Sequence, residues 1–163
     1  AMPWADRVVV HVSDEGTRAD LDKVLNGYQD GWHVYTCGPD RYMDGVMQAA
    51  ERQGFTEEAR HLEYFSVPEL PEYENHDFTL KLARSGREII IPADRSATDV
   101  LADEGVRIDV KCADGICGVC KCGLVSGAVE HRDFVLSKAQ RKTEVVLCQS
   151  RAADRGGVIV VDL

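Results

Sequence analysis

The sequence predicts an α+β protein built in two parts, and three observations point to it. Residues 1–66 alternate β-branched runs with segments of helical periodicity, whereas residues 77–163 open on a period-two hairpin and continue as short strands around one helix. The charge changes along the chain in the same way. Residues 1–76 hold 6 Lys/Arg against 15 Asp/Glu and residues 77–163 hold 13 against 13, so the net charge of -9 belongs to the first part.

In the first part, residues 7–12 form a β-branched run expected as a buried strand. Residues 18–26 carry Leu21, Val24 and Leu25 on one helical face, and residues 32–36 read as a second strand. Cys37-Gly38-Pro39 then turns into a helix over 40–52, where Tyr42, Met43, Val46, Met47 and Ala50 recur at helical spacing. Pro39 suits the entry of that helix and Gly54 its exit. Residues 60–65 close as a third strand. Strand, helix, strand, helix, strand implies a parallel α/β sheet with right-handed crossovers.

Residues 67–76 contain Pro68, Pro71 and several glutamates with little to bury, and read as a semi-extended linker. Beyond them Phe78, Leu80 and Leu82 alternate with polar residues, Ser85-Gly86 supplies a turn, and residues 88–91 return as the second arm of a hairpin. Residues 96–104 read as a helix capped by Ser96 and ended by Gly105. Short strands follow over 121–125, 144–148 and 158–161. Hairpin, helix, loop and further short strands is the order of a β-grasp fold.

Several function classes fall away on composition. Neither part has a basic excess, so a nucleic-acid partner is not expected. The longest apolar stretches, residues 8–10 and 158–161, are far short of the roughly 20 residues of a membrane span. The start carries neither a basic nor an apolar leader pattern, and the expected location is the cytoplasm. The five histidines are scattered, with no pair at ligand spacing along the chain, and no nucleophile-and-base arrangement stands out.

The chemistry is carried by cysteines. Cys112, Cys117 and Cys120 fall at intervals of five and three, with Cys148 far downstream, and this spacing is the plant-type pattern in which four thiolates hold a 2Fe-2S cluster. A loop must fold around such a cluster to supply three ligands while the fourth arrives from a distant strand. Gly115 and Gly118 permit tight or left-handed backbone there and bring N–H groups near the sulfurs. A four-cysteine zinc site is the competing reading, but zinc usually takes two short CxxC knuckles, and only Cys117 and Cys120 make one. Disulfides are disfavoured by the clustering and the expected compartment. Cys122 could replace Cys120 as a ligand, yet it lies off the spacing and reads as a small buried hydrophobe.

These cysteines, with Tyr35-Thr36-Cys37-Gly38-Pro39 and Glu63-Tyr64-Phe65-Ser66, resemble the C-terminal part of the phthalate dioxygenase reductase and vanillate demethylase reductase family, the reductases of Rieske oxygenases. That family joins an FMN-binding barrel, a nicotinamide-binding domain and a ferredoxin. The resemblance implies that residues 1–66 are the end of an NAD-binding α/β domain and residues 77–163 a plant-type ferredoxin domain. It implies that Cys37, Gly38 and Pro39 sit beside the nicotinamide ring and that Phe65 lies near the flavin. Asp114 and Val119 stand where relatives often carry other residues, at positions that tune and do not ligate. No FMN barrel and no glycine-rich phosphate turn is visible. The chain thus reads as the C-terminal part of a longer oxidoreductase.

The function implied is transfer of single electrons through a 2Fe-2S cluster to a Rieske-type oxygenase, fed by NADH through FMN in the parent protein. FMN and NADH are not expected on this chain itself, which reads alone as an electron carrier whose partners are the oxygenase and the upstream FMN domain. The alternative is a free-standing ferredoxin whose first domain is a scaffold.

Overall fold

The helical period over 40–52 becomes the longest helix of the computed structural model, which describes residues 2–68 and 71–163. The chain divides into two units, Ala1–Glu63 and Tyr64–Leu163. Among the described residues no helix is long and apolar enough to cross a membrane.

In the first unit a short strand β1 (Val34–Thr36) leads through helix α2 (Asp40–Arg52) to a parallel strand β2 (Arg60–Leu62). The one-turn helix α1 (Leu21–Val24) precedes them. Helix α2 buries Met43, Val46, Ala49 and Ala50, the stripe that a 3.6-residue repeat places on one side. Its N-cap is Pro39, whose carbonyl accepts from the N–H groups of Tyr42 and Met43 at 2.8 and 3.1 Å. Ala50, Phe55 and Ala59 form the core, with Leu25, Tyr28 and Val34 packed against them.

The strands expected over 32–36 and 60–65 shorten to Val34–Thr36 and Arg60–Leu62, and two further expectations for this unit are corrected. Residues 7–12 form no strand: Val8, Val9 and Val10 are 52, 76 and 75% exposed. Residues 8–11 take no regular structure, and Val12 closes a local turn instead, its N–H donating to Thr17 Oγ1 at 2.6 Å and its carbonyl accepting from Thr17 N at 3.1 Å. The helix expected over 18–26 shrinks to Leu21–Val24, capped by Asp20, which accepts from Lys23 N at 3.1 Å.

In the second unit β3 (Phe78–Leu82) and β4 (Glu88–Ile91) form the expected hairpin. Helix α3 (Ala97–Asp103) follows, with Ser96 Oγ accepting from Asp99 N at 3.1 Å. The later strands are β5 (Lys121–Ser126), β6 (Val129–Glu130), β7 (Glu144–Val146), β8 (Arg151–Ala152) and β9 (Val158–Val161). The five-stranded sheet runs β4-β3-β9-β5-β7, with β3 and β9 parallel and the other pairs antiparallel. Strands β6 and β8 pair separately, and the sequence did not announce either.

The alternation of β3 explains its place: Phe78, Leu80 and Leu82 are buried while Thr79 and Lys81 are partly exposed. Leu80, Ile91, Leu101, Ile159 and Val161 are almost wholly enclosed, each stabilising the fold by about 1.5–3 kcal/mol relative to exposure. A mixed sheet packed on one helix is the β-grasp arrangement expected. The strand expected over 144–148 ends at Val146, because the chain turns at 147–149. Part of the stretch expected as a linker packs within this unit. Tyr73 lies under the Arg132 guanidinium at 4.2 Å, and Asn75 accepts from Arg132 Nη1 at 2.6 Å. Arg151 donates to the carbonyls of His76, Pro92 and Arg95, tying that stretch to the end of β4 and the start of α3.

Candidate metal centre

The loop over 112–120 turns repeatedly through left-handed backbone: φ is +60° at Ala113, +75° at Gly115 and +68° at Gly118. Glycine is required at 115 for two reasons. Its φ disfavours a side chain, and a Cβ there would lie 3.1 Å from the carbonyl oxygen of Arg132 and 3.3 Å from Cα of Asp133. Ala113 bears the same backbone without glycine's freedom, a strain of about 1–2 kcal/mol held by its surroundings.

This path brings the sulfurs into two pairs. Cys112 hydrogen-bonds with Cys117, and Cys120 with Cys148. The first pair reaches the surface, Cys112 being half-buried and Cys117 exposed, while Cys120 and Cys148 are buried. Backbone donors face the sulfurs: the N–H groups of Asp114, Ile116 and Cys117 toward Cys112, those of Cys148, Cys120 and Leu147 toward Cys120, and that of Gly115 toward Cys148. The Asp114 N–H stands 3.3 Å from the Cys112 sulfur.

These donors prepare thiolates. The hydrogen bond from Cys148, with the backbone N–H groups, draws the Cys120 thiol down to about 6 against the opposing effect of burial. Burial is the largest influence on Cys112 and opposes its thiolate, but the Cys117 thiol and three N–H groups outweigh it and hold Cys112 below the ordinary thiol value. Cys148 is pushed up, chiefly because it donates its proton to Cys120. The buried pair thus shares one proton between Cys120 and Cys148, and binding a metal there would release it.

The arrangement fits a binuclear cluster. A 2Fe-2S cluster would be held by four thiolates, and the chain presents two sulfur pairs, Cys112 with Cys117 and Cys120 with Cys148, with N–H donors that stabilise negative sulfur. Among the described residues no three His, Cys, Asp or Glu side chains gather as a group around one ion.

The other cysteines differ. Cys122 lies in β5 opposite Val145 and packs against the main core; burial first, then the charges of Cys120 and Asp162, push its thiol up to about 12. Cys37 follows β1 in the first unit and is half-buried, with Gly38 and Pro39 leading from it into α2. Phe65 belongs to the second unit and is 89% exposed.

Two groupings escaped sequence reasoning. His33 and His61, 28 residues apart and unpaired along the chain, lie with Nδ1 and Nε2 2.8 Å apart, and His61 stacks on Tyr35 at 4.3 Å. The β1–β2 register creates this, setting Tyr35 opposite His61. Residues 131–133 back the cysteine loop, where Asp133 accepts from the N–H groups of Val135 and Leu136. An aspartate two and three residues ahead of such donors is the signal that could have marked it.

The chain is also similar to known proteins. A family model described as a 2Fe-2S iron-sulfur cluster binding domain matches residues 80–153. The reductase subunit of phthalate 4,5-dioxygenase from Pseudomonas putida is 39% identical over 98% of this chain and 49% of its own length. The carnitine monooxygenase reductase subunit of Escherichia coli is 33% identical over 99% of this chain and 50% of its own. Among solved structures, phthalate dioxygenase reductase, described as modular for electron transfer from pyridine nucleotides to 2Fe-2S, superposes with a TM-score of 0.62. It is 35% identical over 100% of this chain and 50% of its own length. The chain therefore spans about half the length of the relatives it matches.

Proposed function

The chain belongs to the phthalate dioxygenase reductase family, matching its C-terminal region, and on that footing we propose that it delivers single electrons to a Rieske-type oxygenase. The observation that carries the reading is the pair of sulfur pairs, Cys112 with Cys117 and Cys120 with Cys148, inside the matched residues 80–153. Held by these four cysteines, a 2Fe-2S cluster supplies one-electron acceptance and donation. The chain's own residues do the rest. N–H groups aimed at Cys112, Cys120 and Cys148 stabilise negative sulfur, and Gly115 lets the loop close on residues 132–133. Cys117 is exposed and Val119 beside it is 41% exposed, which offers an oxygenase a small, partly apolar landing surface of the kind transient redox partners use.

In the whole protein, hydride from NADH must be split into single electrons, a task for a flavin, and we assign FMN to the portion of the family beyond this chain. Cys37, Gly38 and Pro39 are then placed at the nicotinamide and Phe65 toward the flavin, with the cytoplasm as the working compartment. The test is direct. Anaerobically purified protein should be red-brown with about two irons and two acid-labile sulfides per chain. After reduction with dithionite it should be reoxidised by an oxidised Rieske-type oxygenase. Stoichiometric zinc without sulfide would overturn the reading.

A further inference from the structure

Behind the cysteine loop lies a buried polar pair, His131 and Asp133. The Asp133 side chain is 0% exposed and that of His131 is 11% exposed. Asp133 Oδ1 accepts from Val135 N at 3.1 Å and Leu136 N at 2.7 Å, but among the described residues its Oδ2 has no hydrogen-bond partner, nor has His131 Nδ1. These two orphaned atoms face each other across 3.6 Å. His131 Nε2 stands 3.1 Å from the carbonyl oxygen of Arg141. A carbonyl only accepts, so Nε2 carries the hydrogen, and in the neutral ring Nδ1 is left with a lone pair. Two acceptors therefore oppose one another, and one added proton on Nδ1 would satisfy both.

Arg141 is the other charged group facing the pair, its Nη2 donating to Asp133 O at 2.8 Å and standing 3.9 Å from Oδ1. Burial, with Arg141, outweighs the attraction of Asp133 and holds His131 below the ordinary histidine value. The link to the cysteines runs through Gly115. Its N–H faces the Cys148 sulfur, its carbonyl accepts from Phe134 N at 3.1 Å, and Asp133 Cα abuts its open face. Gly115 thus stands between the Cys148 sulfur and the Asp133 backbone, the route by which charge at the sulfurs would reach the pair.

We propose that His131 and Asp133 form a buried proton-binding site whose occupancy is linked to the oxidation state of the iron–sulfur centre. The inference rests on Cys112, Cys117, Cys120 and Cys148 being the ligands. When one electron from a one-electron donor such as dithionite is added, Nδ1 of His131 takes one proton from solvent and donates it in a hydrogen bond to Asp133 Oδ2. Loss of the electron to an acceptor returns the proton to solvent. His131 is a positioning residue here, acting through charge and not as a ligand.

The measurement is the midpoint potential by mediated spectroelectrochemistry from about pH 5.5 to about pH 9, across the usual histidine range. Iron, sulfide and the visible spectrum are determined first. Their absence would count against the ligand reading, whereas the slope tests the proton site. Reduction raises the proton affinity of His131, so between its oxidised and reduced values the reduction constant should fall with rising pH by up to tenfold per unit, about 59 mV. It should level off on either side. His131→Gln should abolish that slope with the spectrum unchanged, and Asp133→Asn should move it to lower pH. A flat profile in fully loaded protein, or a slope that persists in His131→Gln, overturns the proposal. Should His131→Gln not load, protein with His11, His33, His61 and His76 all replaced by Gln is measured instead. A retained slope supports His131, and a lost one overturns it.

Discussion

The side-chain amide of Gln149 donates to the carbonyl oxygen of Ala113 at 2.7 Å, joining the residue after Cys148 to the residue after Cys112. Each partner follows a proposed ligand, so this bond closes the two arms of the centre on each other. It also braces Ala113, whose φ of +60° is unfavourable without outside support.

Gln149→Ala should therefore loosen the loop while leaving the fold intact. One hydrogen bond is worth about 0.5–1.5 kcal/mol, which corresponds to an increase of up to roughly tenfold in loop opening. The visible absorbance should bleach faster in the variant when an iron chelator is added. Equal bleaching rates would show that the bond does not hold the loop closed.

Ligands and bystanders separate by substitution. Cys112→Ser, Cys117→Ser, Cys120→Ser and Cys148→Ser should each lose or severely destabilise the cluster. Cys37→Ser, in the first unit, and Cys122→Ser, in the core strand β5, should keep it. Iron and sulfide analysis after anaerobic reconstitution reads the result. If Cys122→Ser bleaches the protein and Cys120→Ser does not, the ligand set is wrong.

Gly115→Ala tests the close approach of the loop to residues 132–133. The substitution adds about 1–2 kcal/mol for left-handed backbone. It also sets a Cβ 3.1 Å from the Arg132 carbonyl oxygen and 3.3 Å from Asp133 Cα, neither of which is a flexible side-chain end. The loop must shift, taking with it the N–H that faces Cys148. Reconstitution yield should fall sharply, and an unchanged yield would mean that the loop does not depend on this contact.

How much of this was legible in the sequence differs by kind of signal. Helix α2 and strand β3 were readable because a repeat of 3.6 or 2 already states which face is buried. The cysteine spacing was readable because cluster chemistry demands it. Residues 7–12 misled, since β-branched composition reports fitness for a half-buried sheet and not whether a neighbouring edge accepts the strand. The pairings of His33 with His61 and of His131 with Asp133 were invisible for another reason: strand register makes the first and burial leaves the second without partners.

Acid should act on the histidine pair of the first unit. Burial, and then repulsion from His33, hold His61 below the ordinary histidine value in the folded chain. A lowered folded value means that the neutral ring is favoured by folding. The stabilisation is full above the unfolded value near 6.5 and is lost as pH falls from there through the folded value. Amide exchange in β1 and β2 should accelerate over that interval more than exchange in β3 and β9. His33→Gln should reduce the effect, and exchange in β1 and β2 that is insensitive to acid would refute it.

The last prediction concerns the source of electrons. Hydride transfer requires a nicotinamide held against its acceptor, and such proximity lowers a barrier by about 7–11 kcal/mol. The sequence contains no glycine-rich phosphate turn of the GxGxxG type, and the chain spans about half the length of its reductase relatives. Among its described residues the first unit has one sheet, two-stranded and parallel with α2 between its strands, and the Cys37-Gly38-Pro39 turn by itself provides no hydride acceptor. The proposed ligands, by contrast, all lie in the second unit together with the core that supports them. The 163-residue protein should accordingly accept an electron from dithionite or a photoreduced flavin and pass it to a Rieske-type oxygenase, yet oxidise NADH no faster than background. Anaerobic mixing with NADH while the visible absorbance is followed decides the matter. Bleaching by NADH without added flavin or flavoprotein would mean that the first unit binds and oxidises the nicotinamide on its own.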